Sequence, residues 1–482
     1  MSRFIRNLPI PGLPHWLPLL TLPVWLALVA TPCGFPAEGA PAAQDDPSAA
    51  SPLTLERAVE LALERNPEML VSKEGLNELR GKITEVRSQA FPQVTFQGYG
   101  LRLRDPSILN SSSFDDLPDD FRDLLVPHPN NMFNLGLNVR QPVYNAGKVS
   151  TALELAKVSL TAADAESEAV RRQLTFRVFQ AFHDLLLAQA NLGLVLDTQR
   201  QREEHLRQAR TLFDNGVATE VDVLRSEVAV ANLAPDVIRS RNMVRLARSA
   251  LNNLIMVDID APTVPADTLR HRPWGVETLE SLQARALGRR PEVEAARKQV
   301  AQMRLAERLA GAENKLNVDM EGQWGFAARK PQNLFDNDYS SWNLTFSFKL
   351  PLFDGGRKSG LVRQASARVR AAEQRLALVE NNVRLEVKQA YDAMQSSAEA
   401  IAAARLGESQ ADRVFRMMQD NYRYGAATTL DVTDAETALS AARTSGVNAI
   451  YEYEVAKARL RLAAGIPILD TAADAGAVVG DE

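Results

Sequence analysis

The 482-residue chain carries 55 Lys plus Arg against 60 Asp plus Glu, a formal charge of -5 that argues against nucleic acid as a partner. Gly and Pro number only 25 each while Ala, Leu, Arg, Glu and Val dominate, a balance that favours long helices. The single cysteine, Cys33, excludes a disulfide framework and cysteine-rich metal sites, and the five histidines are too scattered to pair as metal ligands on a helix, so no metal and no cofactor are expected.

Residues 1–36 hold Arg3, Arg6 and no acid around an apolar run from Leu17 to Ala30, the pattern of a secretory leader. That run is shorter than the roughly 20 residues a spanning helix needs, and no later segment offers a longer one. Two ends for the leader stay open. Ala40, Pro41 and Ala42 bring small residues to a cleavage site, and Cys33 is a lipidation point, although Pro32 before it fits such a cut poorly. Loss of 1–36 removes two basic residues and leaves 53 minus 60, or -7. Residues 37–52, rich in Ala, Pro, Asp and Ser, read as a flexible linker.

Helical spacing over 55–89, interrupted near Pro67, then gives way to alternation. Val94 and Phe96, and later Met132, Phe133, Leu135, Leu137 and Val139 against Asn134, Asn138 and Arg140, predict strands at about 91–101 and 132–144. The polar stretch from Asp105 to Asn131 joins them. From 148 onward Leu174, Val178, Ala181, Leu185, Ala188, Leu192 and Val195 step by four and three, and the register returns at Leu206, Ala209 and Phe213. That is a heptad seam on a helix on the order of 100 Å long. Gly216 interrupts it, and apolar residues resume at Val221, Leu224, Val228 and Ala231, so 148–256 reads as a coiled-coil hairpin with a glycine-bearing tip. Pro235 marks a kink or a helix end. Residues 258–276, with three prolines, are a connector.

The same order then recurs. Helical spacing over 277–312, interrupted near Pro291, leads to strands at about 316–327 and 341–353. Leu316, Val318, Met320, Gly322, Trp324 and Phe326 alternate with Asn317, Asp319, Glu321 and Gln323. Trp342, Leu344, Phe346, Phe348 and Leu350 alternate with Asn343, Thr345, Ser347 and Lys349. A second hairpin, 357–465, carries its seam at Val383, Val387, Ala390, Met394, Ile401, Ala404, Ala411, Phe415, Met418 and Tyr422. LFDNGVATEVDVL at 212–224 lies over NYRYGAATTLDVT at 421–433, an offset of 209 that also sets PVYNAGK over PLFDGGR. Upstream, RNPEM at 65–69 lies over RRPEV at 289–293 at offset 224, and the 15-residue difference falls in the Asp105–Asn131 loop. The chain is thus a duplication, with repeat 1 at 53–264, repeat 2 at 265–469, and an acidic tail at 470–482 read as disordered.

Strands of about ten residues with one apolar and one polar face suit a membrane β-barrel. In lipid no sheet edge can stay open, so four strands must share a barrel with other copies. Three copies give twelve strands and room for a lumen, whereas eight strands are filled by their own side chains. The alternatives are a soluble sandwich with helical arms and a non-channel coiled-coil scaffold.

The duplicated order, together with NPEM, QPVYNAGK, FDNGVATEVDVL, PLFDGGR and YGAATTLDVTDAE, resembles the TolC-type outer-membrane efflux proteins over roughly residues 53–467. The resemblance implies a homotrimer of Gram-negative bacteria: a twelve-stranded β-barrel in outer-membrane lipid, continued by a long α-helical coiled-coil barrel in the periplasm. It further implies a passive exit duct for small molecules such as drugs or metal ions, served by a periplasmic adaptor and an inner-membrane pump, and no enzymatic activity. A protein-secretion channel of the same architecture is the runner-up.

In that family the hairpin tips close the periplasmic entrance and receive the adaptor. Carried over, Gly216, Val217, Ala218 and Thr219, with Gly425, Ala426, Ala427 and Thr428, are the docking tips. Asp431 and Asp434 match acids that face the entrance, where three copies of each make a cation-attracting ring. Tyr422 matches a residue whose hydroxyl reaches the acid replaced by Asp222, and so helps hold the entrance closed. The basic residue that assists this latch is Ala427 here, with Arg423 the candidate substitute. A second reading stands beside these: Thr219 with Asp222, and Thr428 with Asp431, fit helix-start capping boxes. His183, His205 and His271 read as ordinary surface or core residues.

Overall fold

The computed structural model describes residues 52–103, 130–275 and 277–469. The leader with Cys33, the linker apart from Pro52, the Asp105–Asn131 loop apart from its last two residues, and the 470–482 tail lie outside the described residues.

Each repeat opens with a broken helix: α1 (Leu55–Arg65) and α2 (Pro67–Ser88) in the first, α6 (Leu279–Arg289) and α7 (Pro291–Gly311) in the second. The breaks are made by Pro67 and Pro291. Proline drives the residue before it out of the helical region, and Asn66 and Arg290 both sit at ψ 128. Thr54, Asn66 and Thr278 then accept hydrogen bonds from the first-turn amides and start their helices. The hairpins are α3 (Lys148–Asp214) with α4 (Glu220–Ala231) and α5 (Ala234–Leu254), and α8 (Arg357–Arg423) with α9 (Thr429–Ala463). Both α3 and α8 have 67 residues, about 100 Å of helix. Pro235 resolves as a helix start: α4 ends at Ala231 and α5 begins beside the proline, while α9 runs unbroken.

The duplication reaches the side chains that make the core. Ala58, Ala62, Met69, Leu174, Val178, Ala181, Leu185, Leu251 and Ile255 are buried in one cluster. Their counterparts Leu282, Ala286, Val293, Val383, Val387, Ala390, Met394, Leu460 and Ala464 are buried in the other. A third, smaller cluster of Phe176 and Phe179 against Ala458 and Ile468 joins the two repeats.

One part of the expected seam is corrected. Val221, Leu224, Val228 and Ala231 are exposed, and α4 and α5 bury Ser226, Leu233, Val237, Val244 and Leu251 instead. The helix carries two apolar stripes, and periodicity alone does not say which faces its own hairpin. Small Ser226, 2 % exposed, lets α4 lie close on α3, and the bulkier stripe is left outward.

Strands β1 (Gln93–Leu103), β2 (Asn130–Tyr144), β3 (Asn317–Ala328) and β4 (Ser340–Lys349) form one antiparallel sheet in chain order. β4 stops short of the expected residue 353 because Pro351 has no amide to give a ladder. Pro142 lies at the register shift between Pro142 and Tyr144, where a missing amide is tolerated. Register puts Phe96, Leu137, Trp324 and Trp342 in one row of the apolar face, and Thr95, Asn138, Gln323 and Asn343 in a row of the polar face. On that polar face Arg140 lies 3.5 Å from Glu321 and 3.8 Å from Asp319. Among the described residues the apolar face has no cover: Trp342 is 78 % and Phe348 81 % exposed. Gly136 and Gly325 face each other across β2 and β3, where a Cβ on Gly325 would overlap Leu135 O and one on Gly136 would come within 2.8 Å of Trp324 O. The two strands approach this closely only because both residues lack a side chain.

Gly325→Ala is expected to reduce the amount of heat-resistant assembled protein in the outer membrane. Gly322→Ala, whose new Cβ meets Leu344 at 3.7 Å, is expected to leave it near wild type, as gel migration of unheated samples reads directly. Spin labels at Trp324 and Phe346 should report lipid, and a label at Gln323 water. Lipid contact at Gln323 with a buried, protein-packed Trp324 would contradict this assignment of faces.

Candidate channel entrance

The far ends of both hairpins are built alike. At the end of α3, Val217 N donates to Leu212 O and Gly216 N to Phe213 O, both at 2.8 Å. At the end of α8, Ala426 N donates to Asn421 O at 2.8 Å and Gly425 N to Tyr422 O at 3.1 Å. This paired closure needs one residue in the left-handed region, supplied by Gly216 at φ 74 and Gly425 at φ 75. Val217, Gly216, Thr219, Gly425, Ala426 and Thr428 are exposed, with Ala218 and Ala427 half-buried.

Both return helices begin with complete capping boxes. Asp222 N donates to Thr219 Oγ1 while Thr219 N donates to Asp222 Oδ2 at 3.1 Å, and Asp431 N donates to Thr428 Oγ1 while Thr428 N donates to Asp431 Oδ2 at 2.8 Å. The Thr219 hydroxyl, then its amide, hold the Asp222 carboxyl below the usual carboxylate range, with smaller help from Thr429 and Arg225. The Thr428 amide, then its hydroxyl, do the same for Asp431. Asp434, one turn beyond Asp431, is exposed on α9. Asp431 and Asp434 therefore share one side of the helix start.

Tyr422 is buried, 7 % exposed, where the two hairpins of one chain meet. Its ring lies against His205 of α3, with centroids 4.9 Å apart. Its hydroxyl takes a hydrogen bond from Thr429 Oγ1 at 3.3 Å rather than meeting Asp222 directly. Thr429 also gives the Asp222 carboxyl minor help in staying ionised, so it lies near both groups. Arg423 does not fill the place left by Ala427, because it turns to Asp420 on its own helix at 3.6 Å. Further from the tip, Arg202 of α3 reaches Glu436 of α9 at 3.2 Å and Ala229 O of α4 at 3.0 Å, with Glu436 only 5 % exposed. Beyond that, Thr198 meets Ser440, and Tyr451 donates to Asp184 at 2.5 Å.

His205, Thr429 and the Arg202–Glu436 pair were not singled out as functional by the residue pattern. Glu436 carries a readable signal: it falls four residues after Val432 and one after Ala435, both buried, so a charge sits on the inward face of α9. Such a charge requires a partner.

A sheet with one apolar face and, among the described residues, two unpaired edges, mounted on paired helical hairpins, defines the subunit of an outer-membrane channel: β-barrel wall above, helical tunnel below. No helix among the described residues is long and apolar enough to cross a membrane, so the sheet is the part suited to lipid. The description "Outer membrane efflux protein" belongs to the family whose profile matches residues 58–255 and 282–466. The chain is a member of the outer membrane efflux protein family. It is 23 % identical over 411 residues to Outer membrane protein TolC of Vibrio cholerae, covering 84 % of this chain and 89 % of that one. It is 24 % identical over 332 residues to Alkaline protease secretion protein AprF of Pseudomonas aeruginosa, covering 68 % and 69 %. The fold matches the Campylobacter jejuni CmeC outer membrane channel with a TM-score of 0.73 at 18 % identity, over 86 % of this chain and 87 % of that one.

Thr219→Ala and Thr428→Ala each remove a cap, a loss of about 1 kcal/mol. Amide exchange in the first turns of α4 and α9 should accelerate by roughly five-fold in these variants, as hydrogen-exchange mass spectrometry would show. Both capping carboxyls are held below their ordinary value, so their own support of the first turns is present above about pH 3.9 and fades as pH falls through the lower folded value.

Proposed function

We propose that the chain is one third of a passive exit duct: a homotrimer whose twelve strands form the outer-membrane barrel and whose six hairpins form the periplasmic tunnel. The observation that carries this reading is that, among the described residues, nothing pairs with the outer edges of β1 and β4 and nothing covers the apolar face of the sheet. With four strands alternating in direction, β4 of one copy meets β1 of the next antiparallel, so the ladder closes without a change of rule. The outward stripe of Val217, Val221, Leu224 and Val228 supports the same assembly. It offers the first hairpin a second apolar face for a neighbour.

At the far end, the tips Gly216–Thr219 and Gly425–Thr428 receive a periplasmic adaptor, which couples the duct to an inner-membrane pump. Tyr422, Thr429 and Asp222 hold the two hairpins of a chain together at the entrance, and Asp431 and Asp434 project three-fold rings of carboxylates there. Such rings attract cations and repel anions. The cargo is small molecules, drugs or metal ions. Export of protein is the second reading, favoured by the likeness to a protease secretion protein.

Cells lacking the chain are expected to accumulate dyes, drugs or metal ions and to grow poorly in their presence, with secreted protein unchanged. Loss of a secreted protein with unchanged drug and metal sensitivity favours the second reading. In planar bilayers Asp434→Asn should weaken block of the single-channel current by multivalent cations added from the tunnel side. Unchanged block would remove Asp434 from the entrance.

A further inference from the structure

The contact between the two hairpins near the tip contains a group that the entrance latch does not account for. His205 projects from α3 against the Tyr422 ring of α8, 4.9 Å between centroids and tilted by 51°. Its Nε2 is buried and has no hydrogen-bond partner. A neutral imidazole tolerates this position at modest cost, whereas an imidazolium there would carry a buried N–H and a positive charge with no acceptor.

We propose that His205 is a positioning residue that makes the entrance latch sensitive to protons: uncharged, it backs Tyr422 and keeps the hairpins packed; charged, it separates them at the tip. This rests on the reading of the tips as the channel entrance. The surroundings of His205 set the direction. From α4 the Asp222 carboxylate favours the charged form. From α8 come the Tyr422 ring and, on its exposed side, the Asp420–Arg423 pair. From α9 come the Thr429 hydroxyl and, two turns on, Glu436 held by Arg202. On α3 itself, Glu204 pairs with Arg207. Asp222 is partly satisfied by its own cap, and it leaves burial as the stronger influence, which pushes His205 below its ordinary value.

Linkage then fixes the sign. A histidine depressed in the packed state favours packing above its ordinary value of about 6.5, and this contribution is lost as pH falls through the lower packed value. Acidification therefore loosens the contact between Tyr422 and α3. Neither Asp222 nor Asp431 titrates in that window, because both are held low by their capping threonines. Glu436 is the other group to separate, since burial raises it.

The test is single-channel recording in planar bilayers from about pH 8 to about pH 5, on trimers first checked for heat resistance. Wild type should show a several-fold rise in open conductance as pH falls below about 6.5, and His205→Gln, which keeps a polar side chain of similar reach but cannot charge, should show none. Glu436→Gln should retain the wild-type response. A flat wild-type profile, or a response that survives in His205→Gln and vanishes in Glu436→Gln, overturns the proposal. So does a fall in conductance on acidification, the outcome if the imidazolium is stabilised inside the contact. Tyr422→Phe at about pH 8 keeps the two readings apart. If it changes the closed state while wild type ignores pH, the entrance stands and the proton switch fails; if neither Tyr422→Phe nor His205→Gln alters conductance at any pH, the entrance reading fails with it.

Discussion

A backbone amide or carbonyl left unpaired in hydrocarbon costs several kcal/mol, and among the described residues β1 and β4 each have one edge without a partner strand. β1 and β4 span 11 and 10 residues, so each edge exposes about half of its peptide groups. A lone sheet in lipid would therefore carry a penalty on the order of tens of kcal/mol. In water it would instead expose Trp342, Phe346 and Phe348. Neither solvent suits one copy. The same sheet closed against its own kind suits lipid outside and water inside, and this requirement settles how many features of the chain fit together: the even strand number, the alternation of faces, and the paired glycines that let β2 and β3 approach.

The tunnel obeys a different rule. Long helices in water are stabilised by packing, and the mirrored clusters show that each repeat builds its core from matching positions, Val178 with Val387 and Leu251 with Leu460. Between the hairpins an apolar cluster of Phe176 and Phe179 against Ala458 and Ile468 gives way toward the tip to polar contacts: Asp184 with Tyr451, Thr198 with Ser440, Arg202 with Glu436, His205 against Tyr422. Under the proposed function, the polar contacts nearest the tip are the ones that give way when the entrance opens, while the apolar packing within each hairpin stays rigid. The tips need only their glycine closures and caps, which are local and survive such movement.

Much of this was legible in the residues because its causes are local. Pro67 and Pro291 break helices wherever they fall, Gly216 and Gly425 end them, and alternation of Trp324 and Gln323 reports a pleated face without knowledge of its neighbours. Duplication strengthened each reading by presenting it twice. The parts that were not legible depend on which helix lies across the way. Val221, Leu224 and Val228 share the period of a seam but face outward, since two apolar stripes on one helix look alike until a partner is chosen. Tyr422 continues the heptads and also reaches a hydroxyl, yet its partners His205 and Thr429 lie more than two hundred residues away or around the turn. Arg423 had the right charge near the right place, and a neighbour one turn back claimed it.

Under the proposed function the wall of the pore is shared among copies of the chain. Native mass measurement of the protein extracted from outer membranes in mild detergent tests it most directly. Three chains in one particle, held until the sheet is denatured, is the predicted result; a folded single chain that remains soluble without detergent contradicts it.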